Sequence, residues 1–232
     1  MDGDRGSDIL AVVPDDPATE PAEPGGAATR RRDVVIAGHR GDEATVRDAG
    51  ADPDPSVRAA ALGALGRLAA LGPDDVVAAF ADPSPVVRRR AAQEAATVDD
   101  RAVQVDAVLE RALADPDPLV VEAACWALGE RQVTGAVTTL GDVARSHQDT
   151  RCREAAVAAL GAIGEPAGMA AVLAALDDKP TVRRRAVVAL AAFDDPAADD
   201  ALRRSLDDRD WQVRQAASVL LDDDSPDDSP DV

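Results

Sequence analysis

Four side chains of this sequence are of the types that do metal or nucleophilic chemistry: His39, His147, Cys125 and Cys152. A catalytic metal needs several imidazole, thiolate or carboxylate ligands converging on one point, and the two histidines stand over 100 residues apart. A reactive thiolate needs a polar, partly exposed setting that lowers its pKa. Cys152 instead takes an apolar position in a repeated pattern and Cys125 lies beside an apolar run, so both read as small core residues. No Cys-x-x-Cys, Walker loop, Gly-x-Ser-x-Gly or His-Glu-x-x-His occurs. Carboxylates are abundant, but most fall in the tails or at helix caps. The residues point to a protein that is not an enzyme and has no cofactor.

The elements that would position these side chains follow from a repeat. The phrase Asp-x-x-x-x-apolar-Arg-x-x-Ala recurs, with anchors at Val57, Val87, Val120, Cys152, Val182 and Val213 and spacings of 30, 33, 32, 30 and 31 residues. Four residues after every anchor stands an alanine: Ala61, Ala91, Ala124, Ala156, Ala186 and Ala217. Eight after it stands Leu65, Ala95, Leu128, Leu160, Leu190 or Leu221. These offsets share one helical face, and a period near 30 residues predicts a solenoid whose units bury that face against their neighbours. The fold expected is all-α, about six pairs of helix A and helix B.

Helices B are predicted over residues 55–69, 85–97, 118–131, 150–163, 180–192 and 211–221, and helices A over 74–81, 102–114, 134–145, 167–176 and 197–206. Before them, a short helix over 30–37, a turn at 39–41 and a helix over 42–49 are expected. Asp54-Pro55, Ser84-Pro85 and Asp117-Pro118 offer an N-cap acceptor followed by proline at the first helical position. Asp149 and Asp210 keep the cap alone, and Pro180 the proline alone. Gly66, Gly129 and Gly161 suit helix endings in the left-handed conformation. The arginine after the anchor (Arg58, Arg88, Arg153, Arg183, Arg214) and the preceding aspartate (Asp52, Asp82, Asp115, Asp177, Asp208) track the repeat, which predicts an Asp–Arg ladder along the stack. Val121 and His147 interrupt it, so flexing near the middle is expected.

Of the net charge of −19, the stretches 1–29 and 222–232 carry −12. The first, with Pro14, Pro17, Pro21 and Pro24, reads as a disordered acidic arm, the second as a solvated tail, leaving the array over 30–221. Only 2% of residues are aromatic, so Ala, Val and Leu must fill the interior and the helices must pack closely. An acidic chain is a poor binder of phosphate backbones; the triplets Arg30–Arg32, Arg88–Arg90 and Arg183–Arg185 are its candidates for one, and ladder roles absorb part of the last two. The apolar run Ile9–Val13 is too short for a signal peptide and no stretch is long enough to span a membrane. A cytoplasmic monomer is expected.

The lines DPDPSVRAAALGALGRL and EAAVAALGAIGEP resemble HEAT repeats of the short phycobilin-lyase type, over about residues 42–223. The resemblance implies a right-handed superhelix and, for most such proteins, a protein-interaction scaffold. Some similar proteins are subunits of bilin lyases. Another branch, the deoxyhypusine hydroxylases, carries iron on His-Glu pairs, and here neither His39 nor His147 is followed by glutamate.

If the alanine face is inward, the residues two and six after each anchor face outward. These change from repeat to repeat, as a surface that reads a partner should. Arg89, Gln93, Glu122, Trp126, Glu154 and Arg184 are the candidate partner-binding residues, centred on Trp126, a large aromatic on a ridge of small side chains. Trp211 is expected to close the end of the array. A partner protein with a basic centre fits this charge order; an accessory role in a tetrapyrrole lyase is the alternative.

Overall fold

The computed structural model describes residues 25–98 and 102–223. Thirteen α-helices follow one another with no strand among the described residues: α1 (Ala27–Arg40), α2 (Glu43–Asp48), α3 (Pro55–Arg67), α4 (Pro73–Ala79), α5 (Pro85–Ala95), α6 (Val103–Ala112), α7 (Pro118–Glu130), α8 (Val137–Ser146), α9 (Thr150–Ile163), α10 (Met169–Ala174), α11 (Pro180–Leu190), α12 (Pro196–Ser205) and α13 (Trp211–Asp223). The odd-numbered helices stack side by side as helix B, and each from α3 onward packs on the even-numbered helix A before it. The chain is therefore an α-solenoid. All six anchors and all six following alanines are buried.

The ends differ from expectation. The predicted short helix over 30–37 runs from Ala27 to Arg40 and packs on α3, so it is a further helix B, and His39 lies in its last turn instead of in a loop. The array thus takes in part of the expected acidic arm, and α13 reaches Asp223. Residues 1–24, 99–101 and 224–232 of the expected arm, inter-helix segment and tail lie outside the described residues. Asp54, Asp117, Asp149 and Asp210 each accept an N–H two residues on, as predicted for N-caps. Ser84 makes no such bond; Pro85 alone starts α5.

The three glycines read as left-handed endings are not that. Gly66, Gly129 and Gly161 lie inside α3, α7 and α9, and positive φ among the glycines belongs to Gly25, Gly41 and Gly164. Their role is close approach. A Cβ on Gly161 would stand 2.7 Å from Ala189 Cβ and 2.8 Å from its Cα; one on Gly129 would stand 3.0 Å from Ala159 Cα. Gly38 of α1 faces Ala64 in the same way, at 2.9 Å. Each pair joins the end of one helix B to an alanine of the next, seven residues past that helix's own anchor.

The ladder is an ion pair between consecutive repeats. Nε and an Nη of Arg58 donate to both oxygens of Asp82 (2.8 Å each), and Arg88 grips Asp115 (2.7 and 2.9 Å) in the same forked way. Arg183 holds Asp208 likewise (2.9 and 2.7 Å). The remaining Nη turns back to carbonyls of the arginine's own loop, such as Asp52 O for Arg58 and Asp178 O for Arg183. Arg30, read only as part of a basic triplet, adds a rung on Asp52. Two assignments change. Arg153 pairs with Asp178, not Asp177, because only two residues link the 3₁₀ turn Ala175–Asp177 to α11, where three link the corresponding turn Ala49–Ala51 to α3. And because each arginine reaches the next repeat's aspartate, Val121 and His147 are the two halves of one missing rung between α7 and α9.

That junction is closed by packing instead. Val121 is fully buried, Cys152 Sγ donates to Pro118 O at 3.2 Å, and α7 and α9 form the most extensive helix–helix contact of the array. His147 keeps the turn: its Nδ1 accepts the Asp149 N–H at 3.1 Å, as Asp52, Asp82, Asp115 and Asp208 do for their own N-cap residues. Apolar packing in place of an ion pair commonly costs no stability, so the missing rung gives no reason for flexing there. A buried arginine outside the repeat pattern also ties the middle together. Arg131, after α7, donates to Asp106 in α6 and to the carbonyls of Ala95 and Val98.

Two outcomes follow for stability. Gly161→Ala gains about 1 kcal/mol of helix propensity but forces α9 off α11, and a net loss of about 1–3 kcal/mol is expected. Gly135→Ala, where an added Cβ meets nothing within 4 Å, should lose none; urea denaturation of both checks the contrast. The second concerns acid. Hydrogen bonds from the arginines hold the Asp52, Asp82, Asp178 and Asp208 carboxyls below the usual range; at Asp115 burial pushes upward, but Arg88 and the Asp117 N–H outweigh it. Carboxylates more acidic when folded stabilise above their unfolded pKa and lose that contribution as pH falls through the lowered values. Urea midpoints should hold from about pH 7 to 5 and drop below about pH 4; a midpoint still flat at about pH 3 would contradict the ladder.

Candidate partner-binding groove

A groove of about 410 Å³ runs across the outward face of the helix B layer from α5 to α11. Its positions come from the helical repeat itself: residues two and six after the anchor cannot reach the alanine face, so successive helices present them side by side. Five of the six predicted residues line it: Arg89 and Gln93 from α5, Glu122 and Trp126 from α7, and Glu154 from α9. Arg184 does not. It lines a separate shallow groove with Val188, Gln215 and Val219 near the C-terminal end, and its neighbour Arg185 reaches the first groove instead. Glycine and alanine at Gly129, Ala155, Ala158 and Ala159 keep the floor between α7 and α9 low.

Trp126 is the large aromatic of the groove and is 47% exposed, so it is not folded away into the neighbouring repeat. Trp211, expected to close the array, is 60% exposed in the first turn of α13. The flat surface beside Trp126 is charged. Arg185 lies 3.6 Å from Glu154, and Arg151 is held by Asp149 at 2.7 Å. Glu122 and Glu130, one turn before and one turn after Trp126 on α7, have no ion pair or side-chain hydrogen bond among the described residues, nor does Arg89. Sequence reading missed Glu130, Arg151 and Arg185. Glu130 was findable, since it continues the four-residue spacing from Glu122 through Trp126.

The thiols take no part in this surface. Burial pushes Cys125 far above the ordinary thiol range and Cys152 up to about 11, which leaves both as inert thiols at neutral pH. Among the described residues no three His, Cys, Asp or Glu side chains are grouped to hold a metal ion, and no helix is long and apolar enough to cross a membrane. Of the arginine triplets, Arg30, Arg88 and Arg183 are rungs of the ladder, while Arg90 and Arg185 face Glu94 and Glu154.

No curated protein sequence matches the chain. Solved structures do, among them several at 17–20% identity. An engineered protein superposes with a TM-score of 0.57 at 18% identity, over 78% of this chain and 95% of that one. A designed armadillo repeat protein in complex with the peptide (KR)4 gives 0.57 at 17%, over 76% and 96%. The CpcE–CpcF complex of phycocyanin lyase from Nostoc sp. gives 0.54 at 18%, over 64% and 97%. These similarities establish the solenoid architecture. The family model for HEAT repeats matches residues 73–161 and 137–222, and a second HEAT-repeat model matches 43–71. With helix pairs, buried alanine seams and the family pattern coinciding over most of its length, the chain belongs to the HEAT-repeat proteins.

Proposed function

We propose that the protein is a non-enzymatic, monomeric scaffold that binds another protein on its helix B face, the concave side of the solenoid, at the groove around Trp126. The observation that carries this reading is Trp126 itself, a half-exposed indole at the centre of the groove in a chain with two tryptophans and no tyrosine. Tryptophan is over-represented among interface residues that dominate binding energy, because a rigid ring buries much area at small entropic cost. The groove is also the place where outward residues vary along the stack, while the ladder and the alanine seams repeat. That the designed armadillo protein is bound to a peptide supports the general mode. The pairing of five of the nine triplet arginines with protein carboxylates argues against a nucleic-acid track.

The second reading is an accessory subunit of a tetrapyrrole lyase, favoured by the likeness to the phycocyanin lyase complex. A protein that stays colourless after mixing with a free bilin counts against it. For the scaffold, crosslinking and mass spectrometry in extract of the native cell should place partner crosslinks on α7 and α9. Trp126→Ala with Glu122→Ala should remove most of them without shifting the urea midpoint; partner recovery that ignores both substitutions would discard this site.

A further inference from the structure

We infer that the occupant of this groove presents an arginine side chain, whose guanidinium lies on the Trp126 indole and pairs with Glu122 or Glu130. The inference rests on the groove being a protein-binding surface and names what that surface reads. Glu122, Trp126 and Glu130 follow one another at four-residue spacing, so they form one stripe of α7 with the ring between two carboxylates. The other carboxylates nearby are already answered, Glu154 by Arg185 and Asp149 by Arg151. Glu130 and Glu122 form no ion pair among the described residues, although Arg151, bonded to Asp149, also attracts Glu122 across the groove, so on the α7 stripe itself the charge beside the ring is negative.

An indole face attracts a cation through its quadrupole, and carboxylates beside it let the same cation form charge-assisted hydrogen bonds. The planar guanidinium can do both at once and is less strongly hydrated than an ammonium, so arginine fits better than lysine. An acidic or phosphate group over Trp126 would meet the Glu122 and Glu130 carboxylates on either side of the ring. On the α5 side the sign reverses, since Arg89 stands there without a carboxylate. An acidic residue flanking the arginine in the partner fits that edge.

The test uses the full chain with Trp211→Phe, so that fluorescence reports Trp126 alone. The probe is an eight-residue peptide alternating arginine and serine, which places its arginines on one side when extended. Saturable quenching is expected with this peptide, weaker binding with a lysine counterpart and no saturation with citrulline, which keeps the shape and loses the charge. Glu122→Gln with Glu130→Gln should weaken the arginine peptide by about tenfold or more and leave the urea midpoint in place. Equal binding of the citrulline peptide, binding of an aspartate–serine peptide, or indifference to the double substitution each overturns the inference. So does the absence of quenching by any peptide. The scaffold reading is separate, because partner crosslinks on α7 and α9 that vanish with Trp126→Ala would uphold it even then.

Discussion

How near one helix B can come to the next is the constraint on which this solenoid depends. The chain has 2% aromatic residues, so few bulky side chains are at hand to bridge a wide gap between helices. The solution is to remove the gap. Glycine near the end of one helix faces alanine of the following helix at Gly38, Gly129 and Gly161, and the alanines after each anchor let helix A close from behind. Valine and leucine then fill what remains. In a close-packed interior one added methyl must displace a neighbour, so the small residues set the spacing and the larger ones follow it.

Close approach fixes distance; the arginine fork fixes orientation. A guanidinium that holds both oxygens of the next repeat's aspartate, while bonding the carbonyls of its own loop, admits little rotation between units. Its carboxylate also accepts the N-cap N–H of the following helix B. Five of the six junctions between consecutive helices B carry such a pair, from Arg30–Asp52 to Arg183–Asp208. With both devices repeated, each unit is placed by its neighbour alone, as in other one-dimensional arrays.

Much of this was legible because helical period and repeat period coincide. Every helix from α2 to α13 falls within a few residues of its expected range, and the outward positions converge on a groove containing Arg89, Gln93, Glu122, Trp126 and Glu154. What sequence did not disclose depends on neighbours in space. Gly129 looks like a helix ending until Ala159 is seen against it. Arg30 looks like part of a basic cluster until Asp52 is placed. Arg184 shares its offset with Arg89, yet sits far enough along the stack to belong to another surface, while Arg185 reaches across to Glu154. Asp177 and Asp178 are adjacent, and only the shorter link between the 3₁₀ turn and α11 decides between them.

The absent rung between α7 and α9 has a bearing on how the array comes apart. Every other junction owes part of its hold to a carboxylate that acid can neutralise, whereas this one is closed by Val121, Cys152 and small apolar side chains. In a linear assembly each junction contributes its own share of the hold, so the devices need not fail together. Neutralising the ladder aspartates therefore loosens five junctions and leaves the Val121 and Cys152 packing beside the Trp126 groove unaltered.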